Sequence, residues 1–313
     1  MRAPLRTALA AALVLLATFS DTGRAQECPH SFDVTHYNVT LTIQIEAELI
    51  SGNAVLRATC VEPGLDSIAL DFAELTVDSV LSEGTSLAYF HDDPVLAIDL
   101  SRIYEPGDTF EVEIFYGGHP GHIDSDAMGG FYFEGVPKRA FQVGFDLASD
   151  PPAMAKYWIP CRDGLCDKAT AEYHITVPGT GQKVICNGLL VGTEIDTLAN
   201  TTLFHWVENY PVAPCLMSVS AGKYAEVIDS TYDWLSYLVY PRHLEVAAVH
   251  FENVPAMLDV YATAFGPYPF PKCAYVAVPT ADVSHQNCIA HPAAAITPTH
   301  DNDWRVSGGL ARQ

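Results

Sequence analysis

Tyr37-Asn-Val-Thr-Leu-Thr-Ile-Gln-Ile-Glu46 alternates strictly, with Val39, Leu41, Ile43 and Ile45 on one side and Asn38, Thr40, Thr42 and Gln44 on the other. Successive side chains of a strand point to opposite faces, so this run predicts a strand buried on one face and wetted on the other. Shorter segments of the same kind follow at 54–60, 67–72, 75–81, 95–100, 109–116 and 130–133. They are punctuated by Ser51-Gly52, Pro63-Gly64, Pro106-Gly107 and Gly117-Gly118, the turn chemistry of an antiparallel sandwich. After Pro152 the pattern resumes at 171–177, 182–187, 203–208 and 216–221, and residues 28–228 read as one large, mainly β unit.

Residues 229–313 change character. Val249, Val254, Met257, Leu258, Tyr261 and Phe265 recur at spacings mostly of three to five, which predicts a helix over 245–265 with Pro255 in its first turn. Gly266-Pro-Tyr-Pro-Phe-Pro is a stiff exit, because proline cannot continue a helix and pushes its predecessor toward extended geometry. Strands are predicted at 273–279 and 293–297, and the run 303–313 shows neither a cap nor a closing strand. This is an incomplete α+β segment, too short to bury a full core by itself.

The first 25 residues carry Arg2 and Arg6, an apolar run over 8–19 and the small-residue exit Thr22-Gly-Arg-Ala25, the pattern of a secretory signal with the mature chain starting near Gln26. The apolar run is shorter than the roughly 20 residues a bilayer span needs, so a secreted or periplasmic protein without a membrane anchor is expected. The chain has a net charge of −22, and without the leader 13 basic residues face 37 acidic ones. That field disfavours nucleic acid and anionic membranes as partners, although many exported proteins are simply acidic. Eight cysteines in an exported chain predict disulfides, with Cys161/Cys166 and Cys186/Cys215 as local pairs; no C-x-x-C supports a zinc ribbon.

Five segments, in order from about residue 33 to 290, resemble the aminopeptidase N family of zinc metallopeptidases. They are Asp33-Val-Thr-His-Tyr-Asn-Val-Thr-Leu-Thr42; Tyr157-Trp-Ile-Pro-Cys-Arg-Asp163 with Asp167-Lys-Ala-Thr170; Val184-Ile-Cys-Asn-Gly188; Val212-Ala-Pro-Cys-Leu-Met-Ser-Val-Ser-Ala-Gly222; and Phe265-Gly-Pro-Tyr-Pro-Phe-Pro-Lys272 running through Cys273-Ala-Tyr-Val-Ala-Val-Pro279 to Val283-Ser-His-Gln-Asn287. The resemblance implies an N-terminal saddle β-sandwich over 28–228 and the start of a thermolysin-like catalytic domain over 229–313. In the second segment the chemistry is structural: Trp158 and Pro160 would seat a loop, and Asp163 and Lys168 would pair or cap backbone groups.

The family holds its zinc with an H-E-x-x-H helix, and no His-Glu-x-x-His occurs in these 313 residues. No catalytic residue, no metal ligand and no cofactor are therefore assigned to this chain; zinc is expected only where a downstream catalytic domain exists. In the family a carboxylate of Gly-x-Met-Glu-(Asn/His) binds the substrate ammonium. Matching His285-Gln286 to the residues after that Glu places Ser284 on it, with Asp282 nearby, and a hydroxyl does not replace a negative charge. A family glutamine near the substrate amine corresponds to Gln142, with an apparent insertion at 146–152 between it and the tryptophan block; a solvent-facing strand position is the competing reading. Ser284, His285 and Gln142 are thus the substrate-binding candidates. Separate metal readings of His285, His291, His300 and Asp301, or of His119 and His122, lack a general base, and no G-x-S-x-G supports serine catalysis. Two functions remain: the N-terminal portion of an exported aminopeptidase-like protein, inactive by itself, or a non-catalytic β-sandwich that binds peptides or proteins.

Overall fold

The computed structural model describes residues 30–123, 129–144 and 153–313; the leader, Gln26, Cys28 and the 146–152 insertion lie outside them. An eight-stranded sheet runs, edge to edge, Leu189–Asp196, Thr201–Val212, Ala169–Pro178, Phe32–Gln44, Leu49–Cys60, Thr109–Gly118, Thr76–Ser82 and Thr85–Ser86. Every neighbouring pair is antiparallel except one: Phe32–Gln44 lies parallel to Ala169–Pro178, with His36 opposite Thr170 and Thr40 opposite His174. The alternation of 37–46 is realised as expected, with Tyr37, Val39, Leu41 and Ile43 buried and Asn38, Thr40 and Thr42 turned outward.

Against that sheet lie a three-stranded one (Leu65–Asp71, Val95–Tyr104, Tyr89–Asp92) and a five-stranded one in the order Lys183–Cys186, Val219–Gly222, Arg139–Val143, Gly129–Glu134, His122–Ile123. Arg139–Val143 is buried at all five positions, so it has no solvent-facing side and shows no period of two. Trp158 is fully buried, stacks on Tyr173 at 6.4 Å and accepts the Tyr116 hydroxyl on its carbonyl at 2.9 Å, which seats the loop as the sequence suggests. Asp163 caps the backbone, accepting Lys156 N–H at 3.0 Å, and its burial lifts its carboxyl to about 6. The ion pair of this block is Arg162–Asp167 at 3.5 Å rather than Asp163 with the exposed Lys168. Cys161, Cys186 and Cys215 are buried free thiols, so neither expected disulfide pair forms.

The second unit is a mixed sheet in the order Ala225–Ile228, Leu235–Val239, Cys273–Val278, Cys288–Pro292, Val283–His285, its two inner pairings parallel. Ala225–Ile228 already belongs to it, so this sheet begins a few residues before 229. The helix expected over 245–265 is two, Leu244–His250 and Val254–Phe265, because buried Phe251 turns inward to stack on Tyr237 at 4.4 Å. Pro255 does occupy the first turn of the second helix, and Gly266 ends it at φ 100°. Residues 293–295 form a 3-10 turn instead of a strand; the strand is Cys288–Pro292, after which the chain leaves the sheet. Residues 303–313 hold a helix, Asp303–Ala311, packed close enough that a Cβ on Gly309 would stand 2.9 Å from Ile289 Cγ2.

One continuous core reaches from Phe32 to Leu310. A smaller cluster of Tyr132, Phe141, Val143, Val278, Ala281 and Ala290 joins the Arg139–Val143 strand to the second sheet. The Gly266–Lys272 stretch bridges the units: Tyr268 stacks on Trp234 at 5.0 Å, and buried Lys272 reaches over Trp206 at 4.5 Å to donate to the Cys186 carbonyl.

Candidate functional site

The hairpin of Val283–His285 and Cys288–Pro292 has His285 opposite Cys288, leaving Gln286 and Asn287 as its turn. Asn287 sits at φ 51°, a left-handed conformation that asparagine tolerates better than most residues, and is fully buried. Its Oδ1 accepts Gly188 N–H at 2.9 Å and its Nδ2 donates to the buried carboxylate of Glu208. From the other side, Asn187 Nδ2 donates to the Gln286 carbonyl at 2.6 Å while its Oδ1 accepts Ser218 N–H at 2.6 Å. The Asn187-Gly188 turn of the saddle thus fixes the hairpin tip.

That grip brings two of the candidates into one place. His285 is 2% exposed, and its Nε2 accepts the backbone N–H of Gly144 at 3.1 Å, two residues after Gln142 on the same chain. Burial alone holds the imidazole down to about 4, so it is neutral at pH 7 with Nε2 as the acceptor. Gly144 approaches the neighbouring backbone so closely that a Cβ there would lie 1.8 Å from the Cys215 carbonyl oxygen and 2.8 Å from Gln142 Nε2. Gln142 itself is 1% exposed, which removes the solvent-facing alternative. Among the described residues neither Oε1 nor Nε2 of Gln142 has a hydrogen-bond partner. A buried primary amide with both ends unpaired is costly unless something else meets it.

Ser284 is not part of that place. Strand alternation turns it away from His285, and its hydroxyl donates to the Gly309 carbonyl at 3.1 Å in the last helix. Asp282 is likewise engaged, accepting Arg305 Nη1 at 2.8 Å, so its charge is matched within the chain. Gln286 lies at the turn, half-buried, with Nε2 donating to the Tyr210 carbonyl at 3.1 Å.

The histidines of the second unit do not converge on a metal. His291 is paired with His250, Nε2 to Nε2 at 3.1 Å, deep in an aromatic surround of Phe251 and Tyr275; burial first, then the neighbouring His250 and Arg305, hold His291 down to about 3. His300 instead meets Glu252 at 2.9 Å and Asp303 at 3.4 Å. His119 hydrogen-bonds the Glu48 carbonyl at 2.9 Å and His122 lies against Tyr132 at 4.6 Å. The donor set needed for a zinc-bound water, three ligands and a base around one open position, is therefore not assembled by the described residues beside Gln142 and His285. The described residues here supply an amide without a hydrogen-bond partner, a neutral imidazole and a rigid hairpin edge. Sequence reasoning missed Asn187, Asn287 and Glu208, which hold the hairpin; only the Asn-Gly dipeptide at 187–188 signalled a turn.

Residues 33–213 match the Peptidase M1 N-terminal domain family. Aminopeptidase M1 of Arabidopsis thaliana is 22% identical over 250 residues, which are 79% of this chain and 27% of that protein. Among solved structures, the M1 zinc metallopeptidase of Deinococcus radiodurans, as a mutant bound to a Tyr-Ser-Ala substrate, superimposes with a TM-score of 0.76 at 20% identity, over 90% of this chain and 64% of that one. Leukotriene A4 hydrolase of Saccharomyces cerevisiae does so with a TM-score of 0.72 at 18% identity, over 95% of this chain and 47% of its own. The chain spans about a quarter of the length of the curated relative and less than two thirds of these structures.

Proposed function

Because this chain belongs to the Peptidase M1 N-terminal domain family, we propose that it supplies the saddle domain and the first wall of the catalytic cleft of an exported aminopeptidase-like protein, binding peptide N-termini without hydrolysing them by itself. The observation that carries this reading is the buried, unpartnered amide of Gln142 beside the His285–Gly144 contact. A glutamine carbonyl accepts hydrogen bonds from an α-ammonium, and a site already stripped of water lets that contact decide orientation. In relatives that are zinc metallopeptidases a complete enzyme would hold zinc; the described residues around Gln142 and His285 do not provide that ligand set, and no step is routed through the metal. Export rests on the composition of the first 25 residues and on no other feature; among the described residues no helix is long and apolar enough to cross a membrane.

The place of the ammonium-binding acid favours a second reading. With Asn287 taken as the final residue of Gly-x-Met-Glu-(Asn/His), Gln286 rather than Ser284 falls on the Glu. In either register the residue is neutral, which suits a non-catalytic peptide-binding module derived from the family. Binding of a short fluorescent peptide with a free N-terminus, compared with its N-acetylated form, together with aminoacyl-amide hydrolysis, tests both. The expected result is preference for the free amine, lost in Gln142→Leu, and no turnover. Turnover that a chelator abolishes, or equal binding of the two peptides, would overturn the proposal.

A further inference from the structure

We propose that Glu172, His174 and His205 form a transition-metal site on the outer face of the eight-stranded sheet, taking one ion of the zinc, copper or nickel class. His174 and His205 are direct cross-strand partners on Ala169–Pro178 and Thr201–Val212, and Glu172 precedes His174 by two, so all three project from the same face. Their rings stack with centroids 4.2 Å apart at 23°, and both Nε2 atoms aim at a single carboxylate oxygen: His205 Nε2 lies 2.5 Å and His174 Nε2 3.2 Å from Glu172 Oε1. Among the described residues this is the one set of three His, Cys, Asp or Glu side chains whose donor atoms all lie within 4.8 Å of one another.

A tetrahedral ion with metal–nitrogen bonds of about 2.0–2.1 Å needs donors roughly 3.3 Å apart, so small ring rotations convert the shared hydrogen-bond acceptor into a shared metal. The strand ladder fixes the three Cα positions in advance, leaving only side-chain rotation to be ordered on binding. Two imidazoles and one carboxylate suit zinc, copper or nickel and are poor for magnesium or calcium, which prefer oxygen donors. Three protein ligands leave a coordination position for water or for a donor from outside. The surroundings allow access: the residue beside His205 on the far strand is Gly192, where an added Cβ would meet only His205 Cβ, at 3.8 Å, and the residue beside His174 is the small Thr40. Each of the three side chains is between a quarter and a third exposed.

Chelator-stripped full chain, equilibrated with zinc and assayed for bound metal, is the test, with His174→Ala, His205→Ala and Glu172→Gln as variants and His300→Ala as control. Wild type and His300→Ala should hold one more equivalent of zinc than the His174→Ala and His205→Ala variants, and Glu172→Gln should weaken that binding by about tenfold or more. Copper loaded in place of zinc should show electron paramagnetic resonance splitting from two nitrogens, reduced to one in either histidine variant, which separates ligand loss from misfolding. Equal zinc content in wild type and both histidine variants, or copper spectra without two-nitrogen splitting in the wild type, would overturn the proposal.

Discussion

Asn187 and Asn287 hold each other's turns: the Asn187 side chain donates to the carbonyl of Gln286 at 2.6 Å, and the Asn287 side chain accepts the N–H of Gly188 at 2.9 Å. Each asparagine thus bonds the residue next to the other, so neither turn keeps its geometry without its partner. The position of His285 follows from that lock, and so does its contact with Gly144.

Asn287→Ala should cost about 3 kcal/mol or more in urea unfolding. It strips Gly188 N–H of its acceptor, leaves Glu208 Oε2 buried without its donor while Oε1 keeps only the Tyr210 N–H, and puts a Cβ-bearing residue with no side-chain compensation at φ 51°. Asn287→Gly should recover only the backbone part, roughly 1 kcal/mol. A midpoint for Asn287→Ala within error of wild type would show that the lock is not a source of stability.

Gln142→Leu makes the opposite forecast for a residue that is just as buried. Its amide has no bond to lose among the described residues, so the apolar isostere should leave stability unchanged or raise it by up to about 1 kcal/mol, while the preference for free peptide N-termini disappears. A large loss of stability would mean that Gln142 is a structural residue.

Gly144→Ala should be among the most damaging single-methyl changes in the chain. The new Cβ would stand 1.8 Å from the Cys215 carbonyl oxygen, and relieving that overlap moves the backbone that donates to His285. A cost above about 3 kcal/mol is expected from thermal or urea unfolding, in the range of severe overpacking or buried strain.

Acid stability should reflect two opposed sets of groups. His285 and His291 are held by burial near 4 and near 3, below their ordinary 6.5; the stability they contribute is present above pH 6.5 and drains as pH falls through those values, because only the unfolded chain takes up the protons. Asp163 is lifted by burial from 3.8 to about 6, so its contribution is full below 3.8 and is lost as pH rises through 6. Each group tilts the curve by about 1.4 kcal/mol per pH unit inside its window. Unfolding free energies between pH 4 and 6 should therefore slope less steeply upward with pH in His291→Asn than in wild type, and more steeply in Asp163→Asn. Parallel curves for all three proteins would refute the assignment.

The saddle is legible in the sequence where one face is wet. Residues 37–46 show their period of two because Asn38, Thr40 and Thr42 meet water, whereas Arg139–Val143 is buried on both faces and carries no such signal. The helix break at Phe251 escaped because the turn is made by a ring packing on Tyr237, a contact that no local spacing encodes. Of the site, Gln142 and His285 can be named from the resemblance. Asn187 and Asn287 cannot be joined from one sequence, since the bonds they make cross about a hundred residues. The Glu172-x-His174 pattern is visible on its strand, but His205 becomes its neighbour only once the register of two strands is known.

The single parallel pairing of the large sheet has a consequence for the growing chain. Phe32–Gln44 leaves the ribosome well before one of its flanking partners, which is made 134 residues later, the separation of His36 from Thr170. At about 5–20 residues per second that edge stays bare for on the order of ten seconds, with its backbone N–H and C=O groups unpaired and an apolar face attached. Nascent chains stalled before Pro178 would present the same open edge to one another, so the moment of greatest aggregation risk falls during translation, before the sheet has its full set of strands.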